Sequence, residues 1–247
     1  MDAARRSLAS LLAAMLLAWV WIVLMAQDMY GSMRGAAAWM MTPVWDTPHL
    51  LLLWAMWAVM MAAMMLPSAS PLVLLYAGAV RRRAGPQRPM LQVAALTAGY
   101  VLVWAGFSVG ATLLQRALSS RLLLTPMMEP STPAVSASIL LVAGIYQWTP
   151  LKLACLRACR SPLSFVMQRW RQGSWGALRM GVEHGIYCLG CCWALMLILF
   201  GGGVMNLLVI VALTAWVMVE KLAPFGGQSA RASGALLIVT AGWLLLR

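Results

Sequence analysis

Residues 183–196 read EHGIYCLGCCWALM, a glutamate, a histidine and three cysteines inside an otherwise apolar stretch. On an α-helix, His184 to Cys188 is a step of i to i+4, Cys188 to Cys191 is i to i+3 and Cys188 to Cys192 is i to i+4. These spacings stack the four side chains on or beside one face. Thiolates and an imidazole so arranged form a soft-metal ligand set that suits Cu(I). A single cysteine would read as a small residue packed between helices. Three of them with a histidine one turn away weigh instead towards metal or redox chemistry. Glu183 is an ionisable group in an apolar run, which is costly and functional by default. It is the candidate acceptor for protons that metal binding releases from thiols; its alternatives are a hydrogen-bonded carboxyl or a shallow one reaching the interface.

Two further groups of soft donors accompany this stretch. Cys155 and Cys159, in LKLACLRACR, are again i and i+4, with Arg157 and Arg160 alongside. The guanidinium charges favour the metal-binding thiolate form, so the two read as a cytoplasmic metal or redox pair, weighed evenly against two unlinked thiols. In HLLLLWAMWAVMMAAMMLP (49–67), Met56, Met60 and Met64 fall at i, i+4 and i+8, with Met61 and Met65 beside them. Thioethers suit Cu(I) as thiolates do, although any one methionine fills a core equally well. Antiparallel helices would set Met60 and Met61 at the depth of Cys191. Other motifs are weaker. CLGCC lacks the second pair of a zinc site, the glycines at 201–203 have no phosphate-loop lysine, and His49 and His184 lie at mismatched depths for a haem.

The elements that must carry these residues are membrane helices. The chain is 63% hydrophobic and 10% charged, with a mean hydropathy of +0.83; soluble domains run at roughly 45–50% and 25%. Apolar runs cover 8–26, 50–80, 90–114, 134–151, 177–200, 204–219 and 234–246. A span needs about 20 such residues, so the expectation is one all-α, polytopic bundle of about seven spans, six if the short last run does not cross. The first run is too long for a signal-peptide core and no clean cleavage site follows it, so it reads as a retained helix. With the N-terminus cytoplasmic, the inner segments take most of the basic residues, Lys152 and Lys221 among them. The outer segments take only Arg34, Arg116, Arg121 and Arg247, in line with the positive-inside rule. The net charge of +12 then calls for anionic lipid and no nucleic acid. The Glu220–Lys221 step reads as an interfacial ion pair.

Four blocks resemble a known family. They are WAMWAVMMAAMMLPSASPLVLLY (54–76), YQWTPLKLACLRACRSP (146–162), GIYCLGCCWALMLILFGGGVMNL (185–207) and the EK…P near 220–224. On these the chain is similar to the DUF2182 family of metal-binding integral membrane proteins. The resemblance implies a membrane bundle that binds metal, and adds little on mechanism.

The expectation is therefore a multi-pass protein of a bacterial inner membrane that binds, delivers or transports Cu(I) or another soft metal. Its site would join Cys188, Cys191, Cys192 and His184 to Met60 or Met64, and a donor or acceptor protein would exchange metal with it. A thiol-disulfide oxidoreductase using Cys188 and Cys191 is the first rival. It needs Cβ atoms about 3.5–4.5 Å apart, which an intact helix does not offer at i, i+3 and an unwound Gly190 would. A scaffold with merely packed cysteines is the second. No ATPase motif or proton relay is visible, and neither transport direction nor oligomeric state is legible.

Overall fold

The structure is a computed structural model and describes residues 2–31, 36–42, 45–83 and 89–246. Of the chain's basic residues, Arg34, Arg88 and Arg247 lie outside these, as do the side chains of Arg5, Arg6 and Arg83. Among the described residues ten helices follow one another: α1 (Asp2–Tyr30), α2 (Ala36–Met40), α3 (Thr47–Arg83), α4 (Pro89–Ser120), α5 (Pro133–Tyr146), α6 (Pro150–Cys159), α7 (Pro162–Gln168), α8 (Gly173–Gly202), α9 (Leu207–Leu222) and α10 (Gly226–Leu245). The described residues contain no strand beyond one isolated bridge, Leu124 to Pro130.

Local chemistry sets the boundaries. Thr149 and Pro150 break the run expected as one span over 134–151. A residue before proline is driven out of the helical region, and Thr149 is extended, its side chain accepting the Lys152 N–H. The result is two helices, α5 and α6, bent by 69°. The segment between the apolar runs ending at 151 and starting at 177 is largely helical, in α6 and α7. Asn206 caps α9 by accepting from Leu208 N and Val209 N, so that helix starts later than the apolar run at 204. α3 continues through Pro67 and Pro71. The Pro67 carbonyl, denied its usual partner by Pro71, accepts the Ser70 hydroxyl at 2.7 Å.

Among the described residues four segments, Leu8–Tyr30, Thr47–Arg82, Pro89–Ser120 and Gly173–Gly202, are long and apolar enough to cross a membrane, five if the bent α5–α6 pair counts as one span. α9, with 16 residues, is about 24 Å long, short of the roughly 30 Å hydrocarbon core.

α8 is the inner helix, and α4 lies closest to it. The contact is made by glycines: a Cβ on Gly99 would stand 2.2 Å from the Leu178 carbonyl oxygen, and one on Gly181 2.0 Å from that of Leu96. Small residues let membrane helices approach this closely. Alanine at Gly99 or Gly181 is expected to lower the thermal midpoint in detergent, since overpacking costs about 1–3 kcal/mol. Alanine at Gly106 of the same α4, where nothing lies within 4 Å, is expected to leave it unchanged or slightly raised, since alanine favours a helix interior over glycine. Equal midpoints in all three variants would refute this account of the contact.

Candidate metal centre

α8 carries His184, Cys188, Cys191 and Cys192 inward, each no more than 2% exposed. α6 lies antiparallel along it: Lys152 reaches the Cys191 carbonyl, Cys155 touches Gly190, and Cys159 meets His184 with Sγ 3.9 Å from Nε2. The Cys159 thiol also interacts with those of Cys188 and Cys191. Cys191 Sγ lies 3.2 Å from Cys192 Sγ and donates to the Cys188 carbonyl at 3.1 Å. Four of the five cysteines thus converge, two helices contributing.

The two cysteines of α6 are divided by this arrangement. Cys159 is buried with the α8 thiols, whereas Cys155 is half-buried beside Gly190. α8 is helical through Gly190, so Cys188 and Cys191 keep the i, i+3 separation, about 5–6 Å between Cβ atoms, wider than a disulfide spans. Glu183, the candidate proton acceptor, turns to the rim instead, where it pairs with Arg171 and stays 27% exposed. Met60 and Met64 are fully buried in the same core cluster as the thiols. Tyr100 ties α3 to the thiols: its hydroxyl donates to the Met65 carbonyl at 3.1 Å and lies 3.0 Å from Cys188 Sγ. His49, at the start of α3 and away from the thiols, is buried and stacked on Trp45.

The groups that sequence reasoning missed are the charged ones. Lys221 Nζ stands 2.9 Å from Cys188 Sγ and 3.0 Å from Ser68 Oγ. It sets a buried positive charge against the sulfur that, as thiolate, would hold metal. Its neighbour Glu220 faces elsewhere and pairs with Lys152 at 2.6 Å, both side chains being at most 1% exposed. Glu220 Oε1 accepts from Gln147 Nε2 (2.7 Å), Trp216 Nε1 (3.0 Å) and Ser233 Oγ (3.2 Å). Lys152 donates at 2.6 Å to the Cys191 carbonyl. The Glu220–Lys221 step is therefore no interfacial ion pair, and Lys152 and Lys221 are interior charges, not face charges. The available signal was two ionisable residues closing an apolar run, which the cost of burying charge marks as functional.

A cavity of about 140 Å³, lined by Ser68, Cys159, Arg160, Pro162, His184 and Lys221 among others, leads to the thiols. His184 Nδ1 is buried without a hydrogen-bond partner. Among the described residues no three His, Cys, Asp or Glu side chains already surround a common point as a metal centre; the free thiols instead make hydrogen-bond contacts with one another, with Tyr100 and with Lys221.

No curated protein and no solved structure matches the chain. A family model described as PpoB2, copper chaperone, matches residues 54–244. That region takes in α4 to α9 and every thiol of the cluster, and the chain belongs to this copper chaperone family.

Proposed function

We propose that the chain is a multi-pass protein of a bacterial inner membrane that holds Cu(I) at mid-depth in the Cys159, Cys188, Cys191 and Cys192 cluster, with His184 beside it and the Met60 and Met64 thioethers behind it. The observation that carries this reading is the convergence of four buried thiols and an imidazole at one end of a cavity. Copper handling follows from the family; the residues that perform it are inferred from this convergence.

The surrounding groups have definable tasks. Cu(I) bound by two thiolates carries a net negative charge, and Lys221 lies where it would balance that charge in a medium of low dielectric. Lys152, neutralised by Glu220, fixes the Cys191 carbonyl and with it the register of α6 against α8. The cavity edged by Arg160 and Pro162 offers a route by which a soluble donor or acceptor protein exchanges the metal by ligand substitution. Arg81, Arg82, Arg157 and Arg169, all exposed, suit this end to the cytoplasmic face.

X-ray absorption at the copper edge, on protein loaded anaerobically, tests the assignment. Serine at Cys159 is expected to reduce the sulfur content of the copper shell, and serine at Cys155 to leave it as in wild type. A spectrum that responds to Cys155 and ignores Cys159 would overturn the ligand set.

A further inference from the structure

A second set of soft donors lies at the other end of the bundle. Where α3 begins and α4 ends, a cavity of about 210 Å³ is lined by Met40, Met41 and Met128, together with Trp45, Gln115 and Thr125. Met128 sits on the loop after α4 with φ at 58°, a left-handed conformation that L-residues other than asparagine and aspartate rarely adopt. Two backbone bonds hold it there: its N–H donates to the Thr125 carbonyl at 2.9 Å, and its carbonyl accepts from Val204 N at 3.2 Å. The side chain is only 3% exposed. Beside the cavity the His49 ring is stacked between Trp39 and Trp45, its Nε2 3.2 Å from the Met40 carbonyl oxygen. Three thioethers around an opening that also carries an amide and a hydroxyl are more than a greasy plug requires.

Buried methionines of α3 share one core with this cavity and with the thiols. Gln115 on its wall accepts from Trp57 Nε1 at 2.7 Å, and Trp57 follows Met56 on α3. From there Met56, Met60 and Met64, all fully buried, descend one face of α3 over about 12 Å. The Met65 backbone carbonyl then accepts from the Tyr100 hydroxyl, which lies 3.0 Å from Cys188 Sγ. Met40, Met128, these α3 methionines and the four thiols all belong to one buried cluster.

We infer that Met40, Met41 and Met128 form an acquisition site for Cu(I), from which the metal moves along the α3 thioethers to the thiol cluster. The inference deepens the proposed function and rests on it. A thioether is neutral and needs no deprotonation, so it accepts a soft cation readily and releases it readily. A thiolate holds the same cation more tightly. The ordering of donors along α3 therefore gives the passage a direction, from the methionine cavity towards the arginine-rich end.

The test is anaerobic Cu(I) titration of the full chain in detergent, against a competing chromogenic chelator, in three forms: wild type, the M40L/M41L/M128L variant and the C188S/C191S/C192S variant. Leucine conserves volume at the methionine positions, and circular dichroism with an unchanged thermal midpoint establishes that each variant is folded. Weakly held copper is expected in wild type and in the cysteine variant and lost from the methionine variant, which keeps its tightly held copper. Weak copper that survives the leucine substitutions, or that appears in none of the three, overturns the acquisition site. The thiol reading is judged separately, by whether tightly held copper disappears from the cysteine variant.

Discussion

Serine at Cys188, Cys191 and Cys192 together is expected to reduce tightly bound copper from about one equivalent per chain to background, as elemental analysis of anaerobically purified, matched samples would show. The argument is chemical. A serine hydroxyl is close to a thiol in size but is a hard, neutral donor at ordinary pH, so it cannot replace thiolate towards Cu(I). The three positions lie in the centre of the core, where loss of volume would disturb the fold; serine avoids that loss. Cys159 remains in the variant, and one thiol beside His184 is a poor substitute for a set. Serine at Cys155 serves as the control, because that sulfur packs against Gly190 outside the cluster. Copper retained in the triple variant at the wild-type level would end the thiol assignment, and copper lost equally on changing Cys155 would relocate it.

The second large effect concerns a pair that holds no metal. Alanine at Glu220 strands Lys152, which is 0% exposed, with its charge inside the bundle. Breaking a buried ion pair by removing one partner costs about 3–5 kcal/mol. The loss spreads, because Gln147, Trp216 and Ser233 all direct hydrogen bonds to Glu220 Oε1. A marked drop in the thermal midpoint is expected for Glu220→Ala alone. The double variant Lys152→Met, Glu220→Leu should recover most of it, since apolar replacement of both partners removes the stranded charge. Recovery stays incomplete because the three donors have lost their acceptor. A single variant as stable as wild type would mean that water already reaches the pair.

The pattern of these residues explains what the sequence could disclose. The helical architecture was legible because crossing a lipid bilayer requires apolar runs of fixed length, and α1, α3, α4 and α8 follow such runs. The ligand ladder on α8 was legible because it is local, three cysteines and a histidine at helical spacing. The rest depends on contacts between distant segments. Lys152 and Lys221 looked like face charges until α6 folded along α8 and α9 brought its end beneath Ser68. Cys159 left its neighbour Cys155 for the same reason: one faces His184 and the other Gly190, a difference of helix packing that spacing alone does not encode. The break at Thr149–Pro150 was visible as a proline, but whether proline bends a span or merely starts the next helix is decided by what the second half packs upon.

The place of Cys188 along α8 has an electrical consequence. The helix runs from residue 173 to residue 202, so Cys188 lies at its midpoint, about 22 Å from each end. In the membrane placement proposed above, a monovalent cation travelling from the methionine end to the thiols falls through roughly half of the transmembrane voltage. That is about 1 kcal/mol for every 100 mV, negative inside. A charged bilayer then loads the thiols more fully than a depolarised one from the same external copper, without any nucleotide being hydrolysed. Release to the far side completes the fall, so the cell's resting voltage acts on both halves of the journey in the same direction.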